Sequence, residues 1–139
     1  MVVKLAGLWE RGWITPIKEA DLWAYPLRDF AVDGLCMSPI SGIDSRHIKE
    51  CASIEDAIAD ARQDELTVVF VDEGGSTPLQ DFEHPDNVLY VLGRSGTSPK
   101  ALYEEEEGDL TVHIETPEGK GLLWAHQAAS IILYDRSTK

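Results

Sequence analysis

The sequence predicts a single α/β domain built on a largely parallel sheet, and three observations carry that expectation. Thr67 to Val71 is a compact β-branched run of the kind that parallel sheets bury on both faces. Val88 to Leu92 is a second apolar run, closed by Gly93. Segments with helical spacing lie between such runs, and alternation of strands with helices is the pattern of α/β domains. At 139 residues the chain can fill one core and is too short for two, so residues 1–139 are read as one domain.

The elements follow in order. Val2 to Trp9 reads as a first strand ended by Arg11-Gly12. Thr15-Pro16 supplies an N-cap and a proline at the first helical position, where its missing N–H costs nothing. The helix runs through Glu19, Leu22, Trp23 and Tyr25 toward Phe30, and Pro26 inside it predicts a kink or a break. Val32 to Met37 is a second strand, closed by Ser38-Pro39 and Ser41-Gly42, and Ile48 to Ala52 is a short, charged third. Ser53-Ile54-Glu55-Asp56 is a capping-box pattern that opens a helix with Ile54, Ala57, Ile58 and Ala61 on one side. After Thr67 to Val71 comes the polar loop Asp72-Glu73-Gly74-Gly75, then a surface crossing from Asp81 to Asp86 into the Val88 strand. Leu110 to Glu115 is the next strand, and a helix from Leu122 onward closes the chain. In open sheets of this kind ligands sit beyond the carboxyl ends of the strands, which makes Asp72 and Gly93 candidate site positions.

Composition narrows the partners. The net charge is -13, from 25 acids and 12 bases, and a repulsive mean field opposes binding to phosphate backbones. The bases are scattered with no run of three, so DNA is not expected and RNA is disfavoured. No apolar run approaches the roughly 18 residues of a membrane span, and no signal-peptide pattern opens the chain, so a cytoplasmic protein without membrane contact is expected. Cys36 and Cys51 form neither a disulfide framework nor a C-x-x-C pair and are read as small buried apolar residues. His47, His84, His113 and His126 lack metal-ligand spacing, and Glu104 to Glu107 is read as a solvated loop, so no metal is expected.

The second half of the chain resembles a known family. The residues that carry the likeness are Tyr90-Val91-Leu92-Gly93-Arg94-Ser95-Gly96, then Val112-His113-Ile114 running to Leu122-Leu123-Trp124, and Ala125 to Asp135. Phe30-Ala31-Val32-Asp33-Gly34-Leu35 is similar to the end of the family's first helix and the start of its second strand. Together they resemble the SPOUT superfamily, in particular its ribose 2'-O-methyltransferase branch, across residues 15–136. The resemblance implies an α/β domain with a C-terminal trefoil knot and S-adenosylmethionine held mainly by main-chain groups. Asp72 to Gly93 and Gly93 to Ile114 are both separations of 21 residues, close to the family's spacing of cofactor-binding strand ends. By that likeness Asp72, Gly93, Ile114, Leu122 and Leu123 are carried over as cofactor-lining positions. Glycine at 93 has a physical reason of its own if backbone approaches a ligand there.

The catalytic positions differ from the family pattern. The arginine of the family's first helix aligns with Tyr25, its asparagine with Glu19, and its second-motif glutamate with Ser95. Its third-motif serine and asparagine align with Leu122 and Trp124. Deprotonating a ribose hydroxyl at neutral pH needs a base or strong electrostatic help, and Arg28, Tyr25 and Arg94 are the candidate substitutes. The last helix is apolar on most of its circumference, so one face is expected on the sheet and another on a partner; the resemblance implies a homodimer through the first and last helices. Two readings follow: an S-adenosylmethionine-dependent RNA ribose methyltransferase with altered catalytic motifs, or a catalytically inactive homodimer of the same fold acting as a protein-interaction module. A receiver-like phospho-acceptor domain fits poorly, because its acidic pair and strand-end lysine are not recognisable.

Overall fold

Two sets of apolar side chains alternate along the strands, and the sheet separates them. The computed structural model describes residues 1–9, 16–38, 48–51, 53–94, 97–119 and 123–139. The strands are β1 (Val3–Leu8), β2 (Gly34–Ser38), β3 (Ile48–Glu50), β4 (Thr67–Val71), β5 (Thr77–Pro78), β6 (Val88–Val91) and β7 (Leu110–His113). They form one sheet in the order β3-β2-β1-β6-β4-β7-β5, and every neighbouring pair is parallel. The helices are α1 (Pro16–Asp29), α2 (Ile54–Gln63), α3 (Pro99–Leu102) and α4 (Ala125–Thr138). The fold class expected from the sequence is therefore the one observed.

One face of the sheet presents Val3, Leu5, Val69, Val88, Tyr90, Leu92 and Val112 to α1 and α4. The other presents Ala6, Val68, Phe70, Leu89 and Val91 to α2. Strand side chains alternate between faces, so burial on both sides explains why these strands read as unbroken apolar runs. On the first face Gly7 makes room for an indole: a Cβ there would lie 3.0 Å from Cη2 of Trp23, which is 1% exposed.

The order β4-β7-β5 means that the connection leaving β4 crosses β7 before pairing on its far side. Gly75 marks the crossing, since a Cβ there would lie 2.5 Å from the carbonyl carbon of Val112 and 2.9 Å from the nitrogen of His113. Only glycine permits two backbones to approach so closely. The Ser76 N–H donates to Thr111 Oγ1 at 2.9 Å, and Nδ1 of His113 lies 2.8 Å from the Gly75 carbonyl, which pins the crossing. The path that would close a trefoil knot runs through residues 120–122, outside the described residues.

Several expectations are corrected. Pro26 does not break α1, which is continuous to Asp29. The bond it forfeits would go to the Leu22 carbonyl, and Leu22 is on the exposed side, where water can serve instead. Beyond Asp29 the chain closes the helix with Val32 N–H donating to Leu27 O at 3.0 Å and Ala31 at φ 53°. Cys36 and Cys51 are joined as a disulfide across a sequence separation of 15 rather than lying free, because β2 and β3 are neighbours and bring their Cα atoms to 5.8 Å. The final helix begins at Ala125 rather than Leu122. The short elements β5 and α3 and a 3₁₀ turn over Leu79–Asp81 were not expected.

Candidate functional site

Beyond the carboxyl ends of adjacent strands β6, β4 and β7 lie Gly93, Asp72 and Ile114, so the fold brings three of the five expected cofactor-lining positions into one row. Leu123 follows shortly after, half-buried ahead of α4, while Leu122 lies outside the described residues.

Asp72 is 5% exposed and its carboxylate is committed to holding loops. Oδ1 accepts from the Gly74 N–H at 2.8 Å and Oδ2 from the Lys100 N–H at 2.7 Å. Lys100 Nζ returns a bond to the Gly74 carbonyl at 2.8 Å. These bonds to charged groups are the stronger kind, and they join the loop after β4 to the start of α3. Asp72 therefore shapes the site from beneath.

Gly93 is required by the chain itself. A Cβ at this position would sit 2.2 Å from the Thr97 carbonyl oxygen and 3.1 Å from Pro99 Cδ. Arg94 and Thr97 exchange backbone bonds of 3.1 and 2.9 Å, which turn the chain back on Gly93. The expected reason for this glycine, a ligand's approach, is thus replaced by a turn folded against it.

Among the described residues, Ile114 at the end of β7 is half-buried, and Leu123, half-buried as well, precedes α4. Such side chains suit a flat neutral ring that takes hydrogen bonds from main chain. Among the described residues, Lys100 is turned to Gly74 and Arg94 follows the Gly93 turn, so neither is set as a phosphate clamp.

The three candidate catalytic residues are not gathered. Tyr25 is 57% exposed on α1, and the Arg28 guanidinium lies over its ring at 4.9 Å from the centroid, a cation–π pair facing outward. Arg94 acts electrostatically on Tyr103, which packs with the α2 side of the sheet and whose hydroxyl is pushed up to about 12, chiefly by burial. Arg94 follows β6 at the strand ends, whereas the Tyr25–Arg28 pair lies outward on α1.

Two polar side chains assigned no site role from the sequence are buried. Glu19 is 2% exposed, one turn before Trp23 on the same side of α1. His126 is 8% exposed on the first turn of α4, with its ring edge-on to Trp23 at 6.3 Å and to Trp124 at 5.4 Å. Burial holds its pKa below the ordinary histidine value. Their signal in the sequence was faint: a single acid and a single imidazole within otherwise apolar helix faces.

A second polar network lies at the opposite, amino-terminal end of β6. His84 Nδ1 is 2.7 Å from the Tyr90 hydroxyl and Nε2 is 2.7 Å from Asp135. Arg136 donates to the same hydroxyl at 3.2 Å and to Pro85 O at 2.6 Å, tying the last turn of α4 to the segment before β6. Tyr90 is wholly buried, so this network is a structural lock.

No protein-family profile and no curated protein matches the sequence. Solved structures do match in fold. An RNA 2'-O ribose methyltransferase superposes with a TM-score of 0.76 at 14% identity, covering 99% of this chain and 56% of that one. The SpoU methyltransferase AviRb from Streptomyces viridochromogenes, solved in complex with AdoMet, gives 0.71 at 15% identity, covering 99% and 57%. The TrmH/SpoU tRNA modifying enzyme of A. aeolicus gives 0.74 at 12% identity, covering 99% and 74%. The chain spans just over half the length of the first two. Its fold is that of the SpoU/TrmH (SPOUT) methyltransferase structures.

Proposed function

We propose that this chain binds S-adenosylmethionine beyond the carboxyl ends of β4, β6 and β7 and transfers its methyl group to a ribose hydroxyl of RNA. The observation that carries the reading is the row Asp72, Gly93 and Ile114 at three adjacent strand ends of a SPOUT fold. The residues suit the cofactor's adenosine: Ile114 and Leu123 are half-buried apolar side chains that would wall the ring, and the Asp72–Lys100 latch fixes the loop whose backbone would take its polar edge. Bound there, the cofactor supplies an electrophilic methyl group, and the protein has to orient a hydroxyl in line with it and remove its proton.

A second copy of this chain is the partner that suits the outer side of α1 and α4. Leu22 and Tyr25 on α1 and Ile131 and Tyr134 on α4 are exposed, and the two helices pack side by side. Pairing there would cover the Tyr25–Arg28 stack and bring one copy's α1 toward the other's site. The interaction-module reading draws on one observation, the outward Tyr25 where the family carries an arginine.

The test is calorimetric titration of the full chain with S-adenosylmethionine and S-adenosylhomocysteine, beside Leu123→Asp, which places a desolvated charge on the apolar wall. Micromolar binding that weakens at least tenfold in the variant supports the reading. Absence of heat at millimolar ligand, with the chain folded by circular dichroism, sinks the cofactor site and leaves the interaction module.

A further inference from the structure

The chain's two cysteines, Cys36 and Cys51, are joined, and nothing in the proposed chemistry calls on them. The sheet explains how they meet. Side chains alternate along a strand. Leu35 and Met37 of β2 and Ile48 of β3 belong to the core on the α1–α4 face, so Cys36 and Cys51 fall on the other face, packed beside the α2 core. The ladder pairs Leu35 with Ile48, Cys36 with Lys49 and Met37 with Glu50. Cys51 N–H extends it by donating to the Met37 carbonyl at 3.2 Å. Backbone pairing therefore keeps the two cysteines adjacent whether or not the bond is made.

Disulfides are needed for stability mainly in small domains that cannot build a sufficient core. Here the sheet is packed on both faces, and around the bond Leu35, Met37, Ile48 and Ile54 are each 5% exposed or less. The fold at this edge thus has a hydrophobic reason to persist without the crosslink. The bond's place also suits exchange. β3 is the outermost strand on its side, only three residues long, and both cysteines are half-buried rather than sealed. Short segments at the margin of a fold open most easily on their own. What the crosslink adds is therefore local: it fastens β3 to β2, and because Ser53 caps α2 two residues after Cys51, it fixes where that helix starts.

We propose that Cys36 and Cys51 are a reversible dithiol–disulfide site, exchanged with small thiols of the glutathione class, whose state sets how firmly β3 and the start of α2 are held to the sheet. In reduction a thiolate of the small reductant attacks one cysteine sulfur. The Cys36–Cys51 bond breaks, its electron pair leaves on the other sulfur, and that sulfur takes a proton. A second small thiolate attacks the mixed disulfide and frees the remaining cysteine, which is protonated in turn. Two small thiols have then become one small disulfide, and the protein has gained two electrons and two protons. Oxidation by the small disulfide is the reverse, and its closing step is intramolecular, between cysteines that the ladder keeps adjacent. The site lies three places from β6 in the sheet, so it stands apart from the cofactor reading.

Two measurements on the full, unmodified chain test this. In the first, the chain is equilibrated in mixtures of reduced and oxidised glutathione, quenched with acid and alkylated, and the state of Cys36 and Cys51 is quantified by mass spectrometry. A single two-electron transition is expected, with the disulfide present in oxidised glutathione, both thiols free in excess reduced glutathione, and the bond restored on return. In the second, amide hydrogen exchange is compared between the two end states. Peptides covering Ile48–Glu50 and the first turn of α2 should exchange about tenfold or more faster when reduced, while β4 and β6 stay unchanged. A bond that resists excess reduced glutathione, or thiols that never pair in oxidised glutathione, overturns the proposal. Equal exchange at β3 in both states overturns it as well. So does loss of the whole fold on reduction, read by circular dichroism, since the bond would then belong to global stability.

Discussion

Gly93→Ala separates two reasons for a glycine at the end of β6. A ligand's approach would leave the apo fold indifferent to a methyl group there; a folded-back turn would not. The added Cβ would meet Thr97 O at 2.2 Å, Thr97 C at 3.3 Å and Pro99 Cδ at 3.1 Å, and the first of these is backbone that cannot swing aside. Relief requires the turn to open, which gives up the bonds between Arg94 and Thr97 at 3.1 and 2.9 Å, each contributing about 1 kcal/mol net. Displacing Pro99 also loosens the Asp72–Lys100 bond, so the total cost, including overpacking strain, comes to about 2–4 kcal/mol. Urea unfolding followed by tryptophan fluorescence is the assay. With a slope of roughly 2 kcal/mol/M the midpoint should fall by about 1–2 M. Gly34→Ala is the internal control, because nothing lies within 4 Å of its Cβ, and it should leave the midpoint unchanged or raise it slightly. A Gly93→Ala midpoint within about 0.3 M of the unmodified chain would refute the turn argument and restore ligand approach as the reason for the glycine.

The other predictions concern backbone strain and acid. Ala31 at φ 53° and Glu65 at φ 62° occupy the left-handed position just past α1 and α2, where glycine is preferred. Ala31→Gly and Glu65→Gly should each stabilise by about 0.5–1 kcal/mol once glycine's greater freedom in the unfolded chain is deducted from the strain relieved, as a rise in urea midpoint; a fall in both would contradict the assignment. His84 is held below its ordinary pKa chiefly by burial, against the pull of Asp135 and with help from Lys139 and Arg136, and His126 is lowered by burial. Below pH about 6.5 the unfolded chain therefore binds more protons than the folded one. Stability from both groups is complete above that pH and is lost as pH falls toward their folded values. Urea midpoints measured between pH about 7.5 and about 5 should decline, and His84→Gln should flatten the slope. A stability that rises on acidification through this range would reverse the sign of the argument.

Much of the fold was legible because it rests on local pattern. The capping box at Ser53 opens α2 as read, with Asp56 N–H donating to Ser53 Oγ at 3.1 Å. The β-branched run at Thr67 is a central strand with Val69 fully buried. Two strand ends were readable too, at Asp72 and Gly93, and the family resemblance added Ile114 to them before their order in the sheet was known. Pro26 misled because a proline's damage depends on whether the orphaned carbonyl faces water, which helix periodicity alone does not reveal.

What the sequence by itself determined is the set of longer elements, their parallel arrangement and the strand ends at Asp72 and Gly93, since these follow from side-chain period, caps and turn residues acting over a few neighbours. What only the tertiary structure decided is how residues far apart in the chain meet. The pairing of Cys36 with Cys51 depends on β2 lying beside β3. The occupation of Gly93's open side by Thr97, and of Asp72's carboxylate by Gly74 and Lys100, depends on the path of loops. The burial of His126 against Trp23 depends on α4 crossing α1. Burial and hydrogen-bond satisfaction are properties of the packed chain, and they decide which polar residues hold the fold together and which remain free for chemistry.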